Sequence, residues 1–224
     1  MEGGIMATVL ITGANKGIGL ELSRQLSTRG DQVIAVCRTA SAELEALEVR
    51  SFEGVDVTDR GALQAVSQEL GDTRIDVLIN NAGIFEEESF DDLDFDRIRK
   101  QFEVNALGAL LVTGIMQHHL APGSKIILIT SRMGSIGDNG SGGYYGYRMS
   151  KSALNMAGVN LAHDFRDKGV AVAILHPGFV ATDMTGRNGI PAAEAAKGLI
   201  ARIDGLGLES SGSFWHANGE QLPW

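Results

Sequence analysis

The chain has 224 residues, enough for one domain with a sizeable core and short for two. Hydrophobic residues make up 44%, with 29 Gly and only 4 Pro, which excludes a disordered polymer. The net charge of -9 opposes nucleic acid and anionic membrane surfaces, which would repel an acidic protein. The opening Met1-Glu2-Gly3-Gly4-Ile5 lacks a basic region followed by an apolar stretch, so no secretory leader is expected. No apolar run approaches the ~20 residues that span a bilayer. The single cysteine, Cys37, excludes an internal disulfide and suits a reducing compartment, so a cytoplasmic protein is the expectation.

In chain order, short runs rich in Val and Ile alternate with longer segments of helical period. Strands are predicted at 8–12, 32–37, 54–57, 77–80, 125–130 and 170–175, nearly continuous in apolar residues as parallel strands covered on both faces should be. Helices are predicted at 18–29, 62–70, 95–120 and 151–168; in the first, Ile18, Leu22 and Leu26 share one face. Phe214-Trp215 and Leu222-Pro223-Trp224 offer a last strand and an interface. The alternation predicts an α/β fold, a Rossmann-type doubly wound parallel sheet with helices on both faces, as a single dinucleotide-binding oxidoreductase domain over residues 1–224. Ligands bind such sheets beyond the carboxyl ends of the strands, so the informative residues should follow strands.

The first strand runs into Thr12-Gly13-Ala14-Asn15-Lys16-Gly17-Ile18-Gly19. Glycines permit a tight turn and close approach of a phosphate, while the next helix offers unpaired N–H groups and a positive dipole end. The spacing is Gly-x3-Gly-x-Gly, and by itself it also fits an ordinary strand-to-helix turn. The second strand ends Ala35-Val36-Cys37-Arg38, where a site for NAD usually carries Asp or Glu. Arg38 and Lys16 without a carboxylate suit the 2′-phosphate of NADP(H) better than NAD(H), the alternative being that Arg38 is a solvated loop residue.

Tyr147 and Lys151 stand four apart at the start of a helical segment and so share a face. A phenol of ordinary pKa near ~10 is a poor proton shuttle at neutral pH, and a neighbouring ammonium favours its ionised form. Tyr-x3-Lys alone is common by chance. Its context is more specific: the fifth strand ends Ile129-Thr130-Ser131, the fourth ends Leu78-Ile79-Asn80-Asn81-Ala82-Gly83, the following helix holds Val104-Asn105-Ala106, and the sixth strand leads to Pro177-Gly178-Phe179-Val180-Ala181-Thr182.

From Thr12 to Thr182 this pattern resembles the short-chain dehydrogenase/reductase family. Within it, Ser131-Arg132-Met133-Gly134-Ser135-Ile136, the segment from Tyr147 to Asn155 and the ending Asn218–Trp224 look like the bacterial C-factor group, related to sniffer-type carbonyl reductases. The resemblance implies Tyr147 as general acid in reduction and base in oxidation. Lys151 would lower its pKa and hold the nicotinamide ribose, Ser131 would hydrogen-bond the substrate oxygen, and Asn105 would fix a water in a proton relay. Gly13, Asn15, Lys16, Gly17, Ile18 and Gly19 would surround the pyrophosphate and Arg38 the 2′-phosphate. Asp56 and Val57 would meet the adenine, Asn81, Ala82 and Gly83 the adenosine and nicotinamide side, and Pro177, Gly178, Val180 and Thr182 the carboxamide end.

Other features carry less. Tyr144 and Tyr145 lack a lysine four residues on and are expected to wall the cleft or pack against it. The five histidines show no metal spacing, and no metal is expected. Cys37, lacking a histidine partner, reads as a buried or ribose-side thiol. Glu86-Glu87-Glu88 with Asp91, Asp92, Asp94 and Asp96 reads as a solvated loop and helix cap, or else as a deterrent to anionic substrates. Eight residues separate Thr182 from Pro191, implying an open cleft or one completed by a partner subunit. The reading is an NADP(H)-dependent oxidoreductase for a small carbonyl compound or its alcohol, expected as a homodimer or homotetramer. The rival is an NADP(H)-binding signalling or sensor protein with incidental turnover. A sugar-nucleotide epimerase is disfavoured, because such relatives are longer and carry an added substrate domain.

Overall fold

The computed structural model describes residues 6–224, so the expectation that residues 1–5 hold no leader lies outside the described residues. Seven parallel strands form one sheet in the order β3-β2-β1-β4-β5-β6-β7: β1 (Thr8–Thr12), β2 (Gln32–Val36), β3 (Arg50–Phe52), β4 (Val77–Asn80), β5 (Lys125–Ile129), β6 (Ala171–His176) and β7 (Phe214–His216). The order reverses between β1 and β4, which opens a crevice at their carboxyl ends.

Both faces of the sheet are covered, as the unbroken apolar strands require. On one side Val9 and Ile11 join Leu22 and Leu26 of α1 (Gly17–Arg29) and Leu199 and Ile203 of α7 (Ala192–Asp204). On the other, Leu10 and Leu78 meet Leu63 and Val66 of α3 (Arg60–Leu70) and Val112 and Met116 of α5 (Ala109–Met116). Successive strand residues point to opposite faces, so one strand feeds both cores. Each fully buried Leu or Ile contributes ~1.5–3 kcal/mol relative to exposure. Among the described residues no helix is long and apolar enough to cross a membrane.

Local chemistry moves several boundaries from their expected places. The third strand is Arg50–Phe52, not 54–57. Gly54 turns the chain at φ 73°, and the N–H groups of Gly54 and Val55 then bond Arg38 and Cys37 carbonyls. Val55 and Val57 are buried, but by a turn. Helix α3 opens two residues early because the Asp59 carboxylate accepts from the Ala62 N–H at 3.1 Å.

The expected helix over 95–120 is four pieces. These are α4 (Phe95–Phe102), a π-helical turn (Glu103–Gly108), α5, and a 3-10 turn (Gln117–His119). The helix expected from 151 is α6 (Tyr145–Arg166), so Tyr147 and Lys151 both sit inside its first two turns. Gly158 lets α6 lie close on the sheet, since a Cβ there would come within 2.5 Å of Ile174 Cγ1. At the end of the chain only Phe214–His216 is a strand; Leu222 follows as a buried residue whose N–H bonds the Phe214 carbonyl at 2.9 Å. The short α2 (Ala42–Glu45) lies between β2 and β3.

Candidate active site

The turn from β1 into α1 is built for an anion. Lys16 caps α1 without a side-chain oxygen, and its first turn holds no acid, so the opening N–H groups and positive helix end stay available. Side chains are excluded where backbone must come close. A Cβ on Gly19 would lie 2.2 Å from the Gly13 carbonyl oxygen, and one on Gly13, at φ 65°, 2.9 Å from Ala82 Cα. Gly17, at φ 54°, faces Thr182. A pyrophosphate fits this cradle, with Ile18 on the same turn. Asn15 turns aside, its amide bonding the Thr39 carbonyl at 2.9 Å.

Asn81 and Thr12 brace the crevice. The Asn81 amide donates to the Thr12 and Gly13 carbonyls at 3.0 and 3.1 Å, and the Thr12 hydroxyl accepts from the N–H groups of Asn81 and Ala82. Gly83 follows at the point where Asn105 and Lys151 converge, since a Cβ on it would stand 3.2 Å from Asn105 Oδ1 and 3.5 Å from Lys151 Nζ.

The ribose side departs from expectation, because carboxylates are present. Arg38 Nη1 lies 4.0 Å from Asp56 Oδ2, and Lys16 Nζ 3.9 Å from Asp183 Oδ2. Glu53, which follows β3, accepts from the Ala40 N–H at 3.1 Å. Burial, with Glu53 nearby, pushes the Cys37 thiol up, so it is a buried and unreactive neighbour. The two ion pairs are long and exposed, hence weak, and leave both cations free to turn onto a ligand. Val57 is buried beside Asp56, whose carboxylate accepts from the Thr58 N–H and hydroxyl.

At the carboxyl end of β5, Ser131 caps the 3-10 turn Arg132–Gly134 by accepting from the Met133 N–H at 3.1 Å. Gly134 packs against Lys151 so closely that a Cβ would meet its carbonyl carbon at 2.7 Å. Loop and helix are thereby locked, and the Ser131 hydroxyl faces the Tyr147 phenol. Lys151 Nζ donates to the Ile129 carbonyl at 3.0 Å and lies 5.7 Å from the Tyr147 ring centre.

The expected lowering of the phenol by Lys151 is not what dominates. Burial pushes Tyr147 up to about 12, with Ser131 pulling the other way, and burial brings Lys151 down to about 8. Both groups are almost wholly removed from water, and the ammonium spends a donor on Ile129 rather than on the phenol.

Asn105 sits in the π turn, a device frequent at functional sites. Its amide clasps Ile84, accepting from the N–H at 2.8 Å and donating to the carbonyl at 2.9 Å, and also donates to Ser150 Oγ. Beyond β6, Pro177 and Gly178 enter a loop in which Val180 bridges to Ile190 and Thr182 reaches Gly17.

Of the residues singled out in the sequence, Gly13, Arg38, Asn81, Ser131 and Pro177 follow the strands directly, while Asn105 lies in the π turn and Tyr147 and Lys151 on α6. Others were missed. Phe85 sets its ring edge against Tyr147 at 5.0 Å and faces Tyr144 at 5.6 Å, which makes Tyr144 part of the cleft wall. Glu88, assigned to a solvated acidic run, is buried. Asp94 does cap α4, as expected of that run. His176, behind Pro177, is driven down to about 3 by burial and by His216, Arg132 and Lys151, so it is neutral. Arg132 pairs with Asp138 at 2.9 Å and Glu220 at 2.7 Å, tying the Ser131 loop to the chain after β7. Among the described residues no cluster of three metal-ligating side chains occurs.

The sheet and this cleft are those of an oxidoreductase acting through a dinucleotide-type crevice. The profile described as short chain dehydrogenase matches residues 7–191, and the chain belongs to that family. It is 44% identical over 226 residues to the 1-hydroxy-2-glutathionyl-2-methyl-3-butene dehydrogenase of Rhodococcus sp. (strain AD45), covering 98% of this chain and 100% of that protein. It is 44% identical over 154 residues to C-signal of Myxococcus xanthus, covering 67% of this chain and 93% of that protein. The NADPH-bound carbonyl reductase from chicken fatty liver superposes with a TM-score of 0.89 at 28% identity, over 98% and 99% of the two chains. Carbonyl reductase Sniffer of D. melanogaster does so at 0.91 and 26%, over 98% and 100%.

Proposed function

We propose that this chain is a cytoplasmic, single-domain, NADP(H)-dependent oxidoreductase that interconverts a small carbonyl compound and its alcohol. The observation that carries the reading is the grouping of Ser131, Tyr147 and Lys151 at the carboxyl end of β5, with Lys151 Nζ close to Gly83. The likeness to NADPH-bound carbonyl reductase supports the cofactor. The bound nicotinamide would supply or accept the hydride.

The chain's own residues do the rest. Hydride arriving at a carbonyl carbon leaves negative charge on oxygen, so a proton donor and a second hydrogen bond must converge there. Tyr147, held up at about 12, is fully protonated at neutral pH and is the donor; Ser131 supplies the second bond. Lys151 holds the ribose and, with Asn105, returns the proton. Gly13, Gly17, Ile18 and Gly19 would surround the pyrophosphate, Lys16 and Arg38 would meet the 2′-phosphate, Asp56 and Val57 the adenine, and Asn81, Ala82 and Gly83 would line the adenosine and nicotinamide side. Pro177, Gly178, Val180 and Thr182 hold the carboxamide.

A panel of aldehydes, ketones and quinones with NADPH tests this, read as loss of nicotinamide absorbance. The expected result is turnover with at least one class. Tight NADPH binding without turnover on any of them would replace catalysis by the sensor reading, which the likeness to C-signal favours. Catalysis is preferred because a pure binding module needs no buried Ser131, Tyr147 and Lys151 together.

A homodimer or homotetramer completes the reading. Leu107 on the π turn, Leu110 on α5 and Met149 and Met156 on α6 are large, apolar and exposed. Sedimentation is expected to give a dimer or larger, and Leu110→Asp with Met156→Asp a monomer. A wild-type monomer would refute the assembly.

A further inference from the structure

We propose that Glu88 is the positioning residue that seats the first turn of α6, and through it Tyr147. The proposal rests on the reading of Tyr147 as the proton donor. Helix α6 is 22 residues long and starts without a cap of its own, for Tyr144 stands in the left-handed region (φ 53°, ψ 47°) and offers no side-chain acceptor. The N–H groups of Tyr144 and of the buried Gly146, at this start, have no helical partner. Glu88 supplies partners from the loop after β4. Its carboxylate Oε2 accepts from the Gly146 N–H at 3.2 Å, and its main-chain carbonyl accepts from the Tyr144 N–H at 2.9 Å.

A buried carboxylate is costly unless compensated. Glu88 is only 5% exposed, and among the described residues no Lys or Arg pairs with it. Its compensation comes from the positive end of α6 and from Gln101, fully buried on α4, whose amide donates to Oε1. Gln101 uses its own oxygen to accept from the Glu86 N–H at 3.0 Å. The fit is close: a Cβ on Gly146 would meet Gln101 Nε2 at 2.5 Å, Glu88 Oε1 at 2.9 Å and Ile98 Cα at 3.0 Å. The neighbouring Phe85 touches the Tyr147 ring itself. Residues 85–88 thus grip the helix start by backbone and by ring, one residue before the phenol.

The pattern of donors and acceptors allows a reciprocal test. Glu88→Gln turns an amide toward the Gln101 amide, and Gln101→Glu opposes two carboxylates. The double variant restores every hydrogen bond, with the amide at 88 and the carboxylate at 101. Each single variant is expected to lower kcat by about 10- to 100-fold, the scale of a misplaced reacting group. NADPH affinity, read by nicotinamide fluorescence, should hold, and the double variant should recover most of the loss. Glu88→Asp, which keeps the charge but withdraws the acceptor by one methylene, stands in for a single variant that does not fold. Fluorine NMR of the chain labelled with meta-fluorotyrosine gives a second readout, the Tyr147 line being the one absent from Tyr147→Phe. That line should shift or broaden in the single variants and return in the double. This readout needs no substrate, so it decides the role of Glu88 even if no turnover is found and the oxidoreductase reading fails. Folded single variants with unchanged kcat and an unmoved Tyr147 line would overturn the proposal, as would a double variant no better than the singles.

Discussion

Tyr147→Phe is expected to lose about 10²- to 10⁴-fold in kcat, the contribution of a well-placed general acid, while binding NADPH as the parent does. The change removes one oxygen from a ring that is nearly buried and held edge-on by Phe85, so the packing survives. Ser131 loses its phenol neighbour but still accepts from Met133, so the loop keeps its turn. On the proposed mechanism, what vanishes is the proton that reaches the substrate oxygen as charge develops there. An interaction made only in the transition state lowers kcat and kcat/KM together, and steady-state kinetics beside a fluorescence titration separate that pattern from lost affinity. Turnover retained within a few-fold would remove Tyr147 from the mechanism.

Removing both ribose-side cations, with Lys16→Ala and Arg38→Ala, should separate the two nicotinamide cofactors. Hydrogen bonds to charged groups are worth about 1.5–3 kcal/mol, so kcat/KM for NADPH should fall by about 10- to 100-fold, allowing for screening at exposed sites. NADH should change little, because it lacks the phosphate these side chains would hold. The long contacts to Asp56 and Asp183 cost little to break, whereas Glu53, on the Ala40 N–H, already has a partner and need not face the phosphate. Equal losses for both cofactors would show that Lys16 and Arg38 do not read the 2′-phosphate.

Much of this architecture was legible because burial on two faces writes itself into composition. β1 and β4 end where their apolar runs end, and the residues proposed to hold the cofactor follow them directly. The stretch 54–57 misled because a buried turn and a buried strand demand the same side chains; only Gly54 hinted at the difference. The helix over 95–120 kept its apolar period through the π turn, which leaves no mark in periodicity yet carries Asn105. Glu88 was hidden for another reason. Within a run of acids its composition says solvent, and its partners Gln101 and Gly146 are remote in sequence. Likewise Glu53 became a neighbour of the ribose side only once β3 had paired with β2. Charge in the sequence is a sum; in the cleft it is an arrangement.

The central place of β1 has a consequence for how the protein is born. Val9 pairs on one flank with Val33 and on the other with Val77, so the earliest strand to leave the ribosome stays open on one side until β4 has followed it, and each strand from β4 onward waits longer still. Until Thr182 emerges and reaches Gly17, the proposed pocket is unfinished on any nascent chain. Non-local pairing of this kind slows folding and leaves apolar edges open meanwhile. Dinucleotide present during synthesis therefore finds nothing to grip until nearly the whole sheet has closed, and rescues only chains that have already solved the topology.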